Sequence, residues 1–305
     1  MERLPNFFIV GAAKSGTTSL YHYLSQHPQI YMSPLKEPKY FSSSVVRFPH
    51  SGPGDLEVDE RVIIKWEDYL ELFGGASGEK CIGEASPDYL YFHEHVAKSI
   101  REANPKAKIM MVLRNPAERA FSAYSHLLKD CRETLSFEGA LEIEEQRKGA
   151  NYEFIWFYKD VGFYYAQVKT YLEVFGKDNV RAYLYDDFTK NPFVLVHNAC
   201  KFLGIEINFV PDMSAKHNAS LVPRRKGVYN FLSDYDHPFK QVFRPLLLKS
   251  LGKESTEVIV NYFKRKNLKR ESMNPKVRRY LIELYREDIL KLQDLINKDL
   301  TSWLE

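Results

Sequence analysis

The sequence predicts an α/β fold in which a central parallel sheet is flanked by helices on both faces. Three observations carry that expectation: short apolar runs that suit buried strands, helical patterns between them, and prolines at the helix ends. The strand runs are 6–10 (NFFIV), 80–84 (KCIGE), 108–113 (KIMMVL) and 180–185 (VRAYLY). Parallel strands joined by helical crossovers are covered on both sides, so they read as nearly continuous apolar runs. The first helical pattern, 17–26, is stopped by His27-Pro28, and the second, 92–103, by Asn104-Pro105. Pro116, favourable at a first helical position, opens a third that runs to about residue 129, and further patterns cover 162–175 and 193–202. Near the end, Val277, Leu281, Leu284, Leu292 and Leu295 recur at helical spacing across 276–296. The stretch 42–60, rich in Ser, Pro and Gly, is long for a connection and is expected to be a surface or lid loop. A second irregular stretch, 210–226, carries four basic side chains, and the basic cluster 264–270 reads as a solvated face. No repeat and no Gly/Ser linker divides the chain, so residues 1–305 are expected to form one domain.

Composition narrows the function classes. Hydrophobic residues make up 44% and charged residues 27%, an ordinary globular balance. Lys and Arg number 43 against 40 Asp and Glu, too even to point to nucleic acid or a membrane surface. Any anion chemistry must therefore come from cations placed locally. Cys81, Cys131 and Cys200 are scattered, without CxxC or His spacing, which fits a reducing compartment and no zinc site. The opening MERLPNFFIVG lacks a long apolar core and a cleavage pattern. No run approaches the ~20 apolar residues of a membrane span, so a cytoplasmic protein without integral membrane association is expected.

The strongest local signal is 7–18, FFIVGAAKSGTT. A strand ends, a loop with Gly11 and Gly16 follows, and a helix begins near Thr17, which converges backbone N–H groups and a helix N-terminus on one point suited to a phosphate. The loop is P-loop-like, but the residue after the second glycine is Thr17, and the lysine has moved inside the loop to Lys14. A nucleoside-triphosphate loop needs its lysine at the later place and a carboxylate for magnesium. Here the strand 108–113 ends in Arg114 instead. The pattern suits a phosphate–sulfate anhydride handled without metal; a P-loop kinase or triphosphatase, or an inactive nucleotide-binding protein, are the alternatives.

KSGTTSLYHYLSQHP (14–28) resembles the 5′-phosphosulfate loop of sulfotransferases that use 3′-phosphoadenosine 5′-phosphosulfate (PAPS), closest to the heparan sulfate and carbohydrate branch and its bacterial relatives. VLRNPAERAFSAYSH (112–126) is similar to that family's 3′-phosphate motif, an arginine at a strand end and a serine on the next helix, here Arg114 and Ser122. PLKEPKYFS (34–42), EASPDYLY (84–91), the unit 160–192 and KHNASLVPRRKG (216–227) extend the likeness over nearly the whole chain. The resemblance implies that Lys14 stabilises the leaving phosphate of PAP, that Ser15, Gly16, Thr17 and Thr18 hold the 5′-phosphate, and that Arg114 and Ser122 hold the 3′-phosphate. It places Arg224, Lys226 and Gly227 in a loop closing over the nucleotide, EASPDYLY (84–91) along the acceptor cleft, and Glu37 as catalytic base. Partial burial is expected to raise the Glu37 carboxyl from its ordinary ~4.3; the plain alternative for Glu37 is a salt bridge to Lys36 or Lys39. His93 and His126 are other acid–base groups to weigh. The implied acceptor is a glycan or glycolipid hydroxyl or amine. The heparan 3-O pattern has a lysine where this chain has Ala85, so strict heparan-type recognition is not implied.

Overall fold

The computed structural model describes residues 4–214 and 272–305, with the backbone of two short strands at 222–223 and 268–269. Five parallel strands form the central sheet: β1 (Phe7–Gly11), β2 (Ile30–Met32), β3 (Cys81–Ala85), β4 (Lys108–Leu113) and β5 (Val180–Leu184), in the order β2-β3-β1-β4-β5. β6 (Val222–Pro223) pairs with β7 (Leu268–Lys269) in an antiparallel ladder apart from the sheet. The four strands read from sequence are present within a residue or two at their ends. β2 was not anticipated: its three residues, Ile-Tyr-Met, are too short to show a period beside the Pro28 that stops the preceding helix.

The helices in chain order are α1 (Thr17–Leu24), α2 (Tyr40–Ser43), α3 (Leu56–Asp59), α4 (Trp66–Glu71), α5 (His93–Ala103) and α6 (Pro116–Lys129). Then come α7 (Phe137–Glu142), α8 (Glu144–Gly149), α9 (Tyr164–Phe175), α10 (Tyr185–Lys190), α11 (Pro192–Leu203) and α12 (Pro275–Ile296). Alternation along β1 explains why its run is unbroken. Phe8 and Val10 join the core under α5, α6, α9 and α12, while Phe7 and Ile9 join a second core under α1 and α11. All four are at most 1% exposed, and burying each such side chain contributes ~1.5–3 kcal/mol. Asn115 fixes the start of α6, its Oδ1 accepting from the N–H of Ala117 (3.0 Å) and Glu118 (3.3 Å), with Pro116 in the first turn.

The order of strands has a functional consequence. From central β1 the chain winds to one side through β2 and β3, then crosses to β4 and β5 on the other. The reversal leaves a crevice beyond the carboxyl ends of the central strands, where ligands bind in open α/β sheets.

The stretch 42–60 is not a free lid. It contains α3, and Asp55 is fully buried, accepting from the Glu153 N–H (3.0 Å) and Trp156 Nε1 (2.9 Å) and pairing with Arg132. A carboxylate saturated by donors inside the protein ties its backbone down, which composition does not reveal. Among the described residues no helix is long and apolar enough to cross a membrane, and no three His, Cys, Asp or Glu side chains group to hold a metal. No disulfide joins the three cysteines, of which Cys81 and Cys200 are buried.

Candidate active site

A cleft of about 670 Å³ opens at the carboxyl ends of the central strands. Ala13 and Lys14 enter it from the end of β1, Pro87 from β3 and Arg114 from β4. The loop after β1 is shaped by two left-handed residues, Lys14 at φ 67° and Gly16 at φ 88°. Gly16 is required there twice over, since a Cβ would sit 3.0 Å from the Phe188 ring as well as straining the backbone. The first closed bond of α1 runs from Leu20 N to Gly16 O (3.1 Å), so the amides of Thr17, Thr18 and Ser19 have no acceptor within the helix. All three residues line the cleft, which makes the helix end an anion cradle. Ser15 does not share in it. Its side chain is fully buried beneath the loop and its N–H donates to Ala12 O (3.2 Å).

Two cations flank this cradle. Burial pushes the Lys14 ammonium down to about 8, a fall that Glu37 and Asp130 partly oppose. Arg114 Nη1 donates to the carbonyl of Lys14 (3.2 Å), and its guanidinium lies 4.7 Å from the Tyr185 ring centroid. The hydrogen bond links the two cations through the backbone of the loop. Behind them the chain's end acts as a brace: Trp303, 2% exposed, accepts at its carbonyl from Asn115 Nδ2 (3.1 Å) and donates from Nε1 to Asp186 (3.0 Å).

α6 presents Ser122, Ser125, His126 and Lys129 to the cleft, the i, i+3, i+4, i+7 spacing of one helical face. That spacing was available in the sequence beside Ser122, and Ser125 and Lys129 were missed. Burial, aided by Lys14 and opposed by Asp130, pushes His126 down to about 4, so it is neutral at pH 7. His93 drops out: it lies on α5, outside the cleft, hydrogen-bonded to Thr170 (2.8 Å).

Glu37 lies across the cleft from the phosphate loop, in a turn with left-handed residues at 37 (φ 63°) and 39 (φ 55°). Its N–H donates to Ala85 O (2.9 Å), and its carboxylate is paired with Lys36. The expected upward shift is not found. Burial does push the carboxyl up, but Lys36, Lys39 and Lys14 outweigh it and hold the group below its ordinary value. EASPDY also differs from its expected place. Pro87 reaches the cleft, while Glu84, Ala85, Ser86, Asp88 and Tyr89 are buried behind it. Ala85 packs with Phe7 and Ile9 in the core under α1 and α11. Lys39, named only as a salt-bridge partner for Glu37, lines the cleft, as do Glu153, Phe154 and Arg132, which nothing local distinguishes. Arg224, Lys226 and Gly227 fall outside the described residues.

A sequence model of the sulfotransferase domain matches residues 4–221. The chain belongs to the sulfotransferase family. The crystal structure of a sulfotransferase from Alicyclobacillus acidocaldarius is 38% identical, covers 99% of this sulfotransferase and 100% of its own chain, and superposes with a TM-score of 0.79. The membrane-associated sulfotransferase kil1 of Dictyostelium discoideum is 35% identical over 122 residues, 40% of this chain and 22% of that protein. The bifunctional heparan sulfate N-deacetylase/N-sulfotransferase 3 of Homo sapiens is 34% identical over 132 residues, 41% of this chain and 13% of that protein. The match to these two therefore spans less than a quarter of their lengths.

Proposed function

We propose that this sulfotransferase moves the sulfuryl group of PAPS onto a hydroxyl or amine of an acceptor. The observation that carries the reading is the placing of the Lys14 ammonium, the Arg114 guanidinium and the Glu37 carboxylate on one cleft at the end of β1. Gly16, Thr17 and Thr18 receive the 5′-phosphate at the start of α1, and Arg114 with Ser122 receives the 3′-phosphate, a dianion that a guanidinium binds in bidentate fashion. In the transfer, the acceptor oxygen or nitrogen bonds to sulfur as its proton passes to Glu37. The sulfur–oxygen bond to the 5′-phosphate breaks, and the electron pair left on that oxygen is stabilised by Lys14. The residues present ask for no metal in this scheme, so binding of PAP is expected without magnesium and in preference to ATP.

A carbohydrate or glycolipid acceptor is the favoured class, supported by the name of the human heparan sulfate relative. A cytoplasmic location and one domain over 1–305 belong to the same reading, the first supported by three cysteines that form no disulfide. The test is incubation with PAPS and a panel of glycans and lipids, read by mass for an added sulfate and by release of PAP. Tight binding of magnesium-ATP with none of PAP would sink the proposal.

A further inference from the structure

The turn that carries Glu37 is fixed by groups distant in sequence. Glu37 N–H donates to Ala85 O (2.9 Å) and Lys39 N–H to Ser86 Oγ (3.2 Å), whose hydroxyl donates onward to Glu84 (2.6 Å). Phe41 N–H donates to the Tyr89 hydroxyl (3.1 Å) and Ser42 Oγ to Asp88 Oδ2 (2.5 Å). One contact differs in kind, being ionic and reaching the cleft wall. Lys39 Nζ donates to Glu153 Oε1 at 2.7 Å, with the two side chains 11% and 4% exposed. Glu153 is itself immobilised, its N–H donating to Asp55 Oδ2 (3.0 Å) and its Oε2 accepting from Ile155 N–H (3.0 Å).

The contrast with Lys36 is direct. The Lys36–Glu37 pair is 19% and 36% exposed, within reach of solvent and of an entering acceptor. A partly exposed pair is better screened by solvent and re-forms more easily, whereas a buried pair whose carboxylate is locked holds its charge in one place and is poorly screened by salt.

We propose that the buried Lys39–Glu153 pair is the positioning element for Glu37: it fixes the turn that carries this carboxylate on the cleft, while Lys36 is the partner that yields when the acceptor arrives. The inference rests on the reading of Glu37 as base. The charged groups facing Glu37 are Lys36 and Lys39 from its own turn, Lys14 from the phosphate loop, and Asp88 from the segment after β3. Burial opposes the charge on Lys39, and Glu153, Asp88 and Glu37 together more than restore it, so Lys39 is a cation throughout the working range. Lys36, Lys39 and Lys14 together hold the Glu37 carboxyl below its ordinary value against burial, Lys36 contributing most.

The test compares Lys39→Met, Lys39→Arg, Glu153→Gln and Glu37→Gln with the unaltered protein, by PAP affinity and by kcat/KM against pH. Lys39→Met is expected to lower kcat by ~10- to 100-fold, the scale of a misplaced reacting group. It should also move the acid limb to higher pH, because the cation that favours the carboxylate is gone. Lys39→Arg should restore most of both. Glu153→Gln should move the limb the other way, since it leaves the Lys39 charge unneutralised beside Glu37, and it carries the test alone if Lys39→Met does not fold. PAP affinity should be unchanged in all. A rate loss equal at every pH, with the limb unmoved in Lys39→Met and Glu153→Gln, overturns the inference. Full turnover in Glu37→Gln removes the base reading and this inference with it, whereas lost turnover there with unmoved limbs overturns this inference alone.

Discussion

The two walls of the cleft are built by different means. The phosphate wall is main chain: a strand end, a five-residue loop and the first turn of α1, all within residues 11–19, with Arg114 added from the neighbouring strand. The base wall leans on side chains: beyond the Glu37 N–H bond to Ala85 O, its turn is held through Glu84, Ser86, Asp88, Asp55 and Glu153, drawn from three separate stretches. A main-chain wall keeps its shape with any side chain that leaves φ and the helix start intact, even where the side chain itself, as at Lys14, does chemistry. A side-chain wall loses its geometry when one buried partner changes, because the group left behind is charged or polar and sealed from water.

The largest effect expected from this contrast is at Glu37. Glu37→Gln should lower kcat by ~10²–10⁴-fold, the usual contribution of a positioned general base, with PAP affinity unchanged in a binding titration. Next comes Lys14→Ala, expected to cost ~10²–10³-fold in kcat as for a lost donor to a developing anion. Arg114→Ala should act mainly on binding, weakening PAP by ~1.5–3 kcal/mol by calorimetry, the worth of hydrogen bonds to a charged group. If Arg114→Ala instead spared binding and removed turnover, the two walls would not divide the work as described. A smaller effect is the alkaline limb. Lys14 carries its proton below its value of about 8 and loses it above, so kcat/KM of the free enzyme should fall as pH rises through that point. In Lys14→Arg the fall should disappear, since a guanidinium stays charged.

The same contrast decides what could be read from sequence. The phosphate wall announced itself because its chemistry is local: glycine where φ is positive, lysine inside the loop, arginine at the next strand end. The sheet was equally legible, since burial on both faces leaves runs such as FFIV and KIMMVL without polar interruption. The base wall was not. Glu37 itself was found by resemblance, but Lys39 and Glu153 meet across 114 positions, and neither has a neighbour that marks it. The same blindness led to the wrong direction for the Glu37 carboxyl, because burial can be guessed from one residue and three converging lysines cannot. EASPDY shows the converse error. The family likeness suggested a lining, yet the fold uses its polar residues to hold the turn that carries Glu37. β2 escaped notice through shortness alone.

The brace at Trp303 has a consequence for what governs the nucleotide pocket. Trp303 meets Asn115 across 188 positions and Asp186 across 117, yet it is not among the residues that line the cleft. The residue that follows Arg114 is therefore seated from outside the pocket, by a turn that no nucleotide touches.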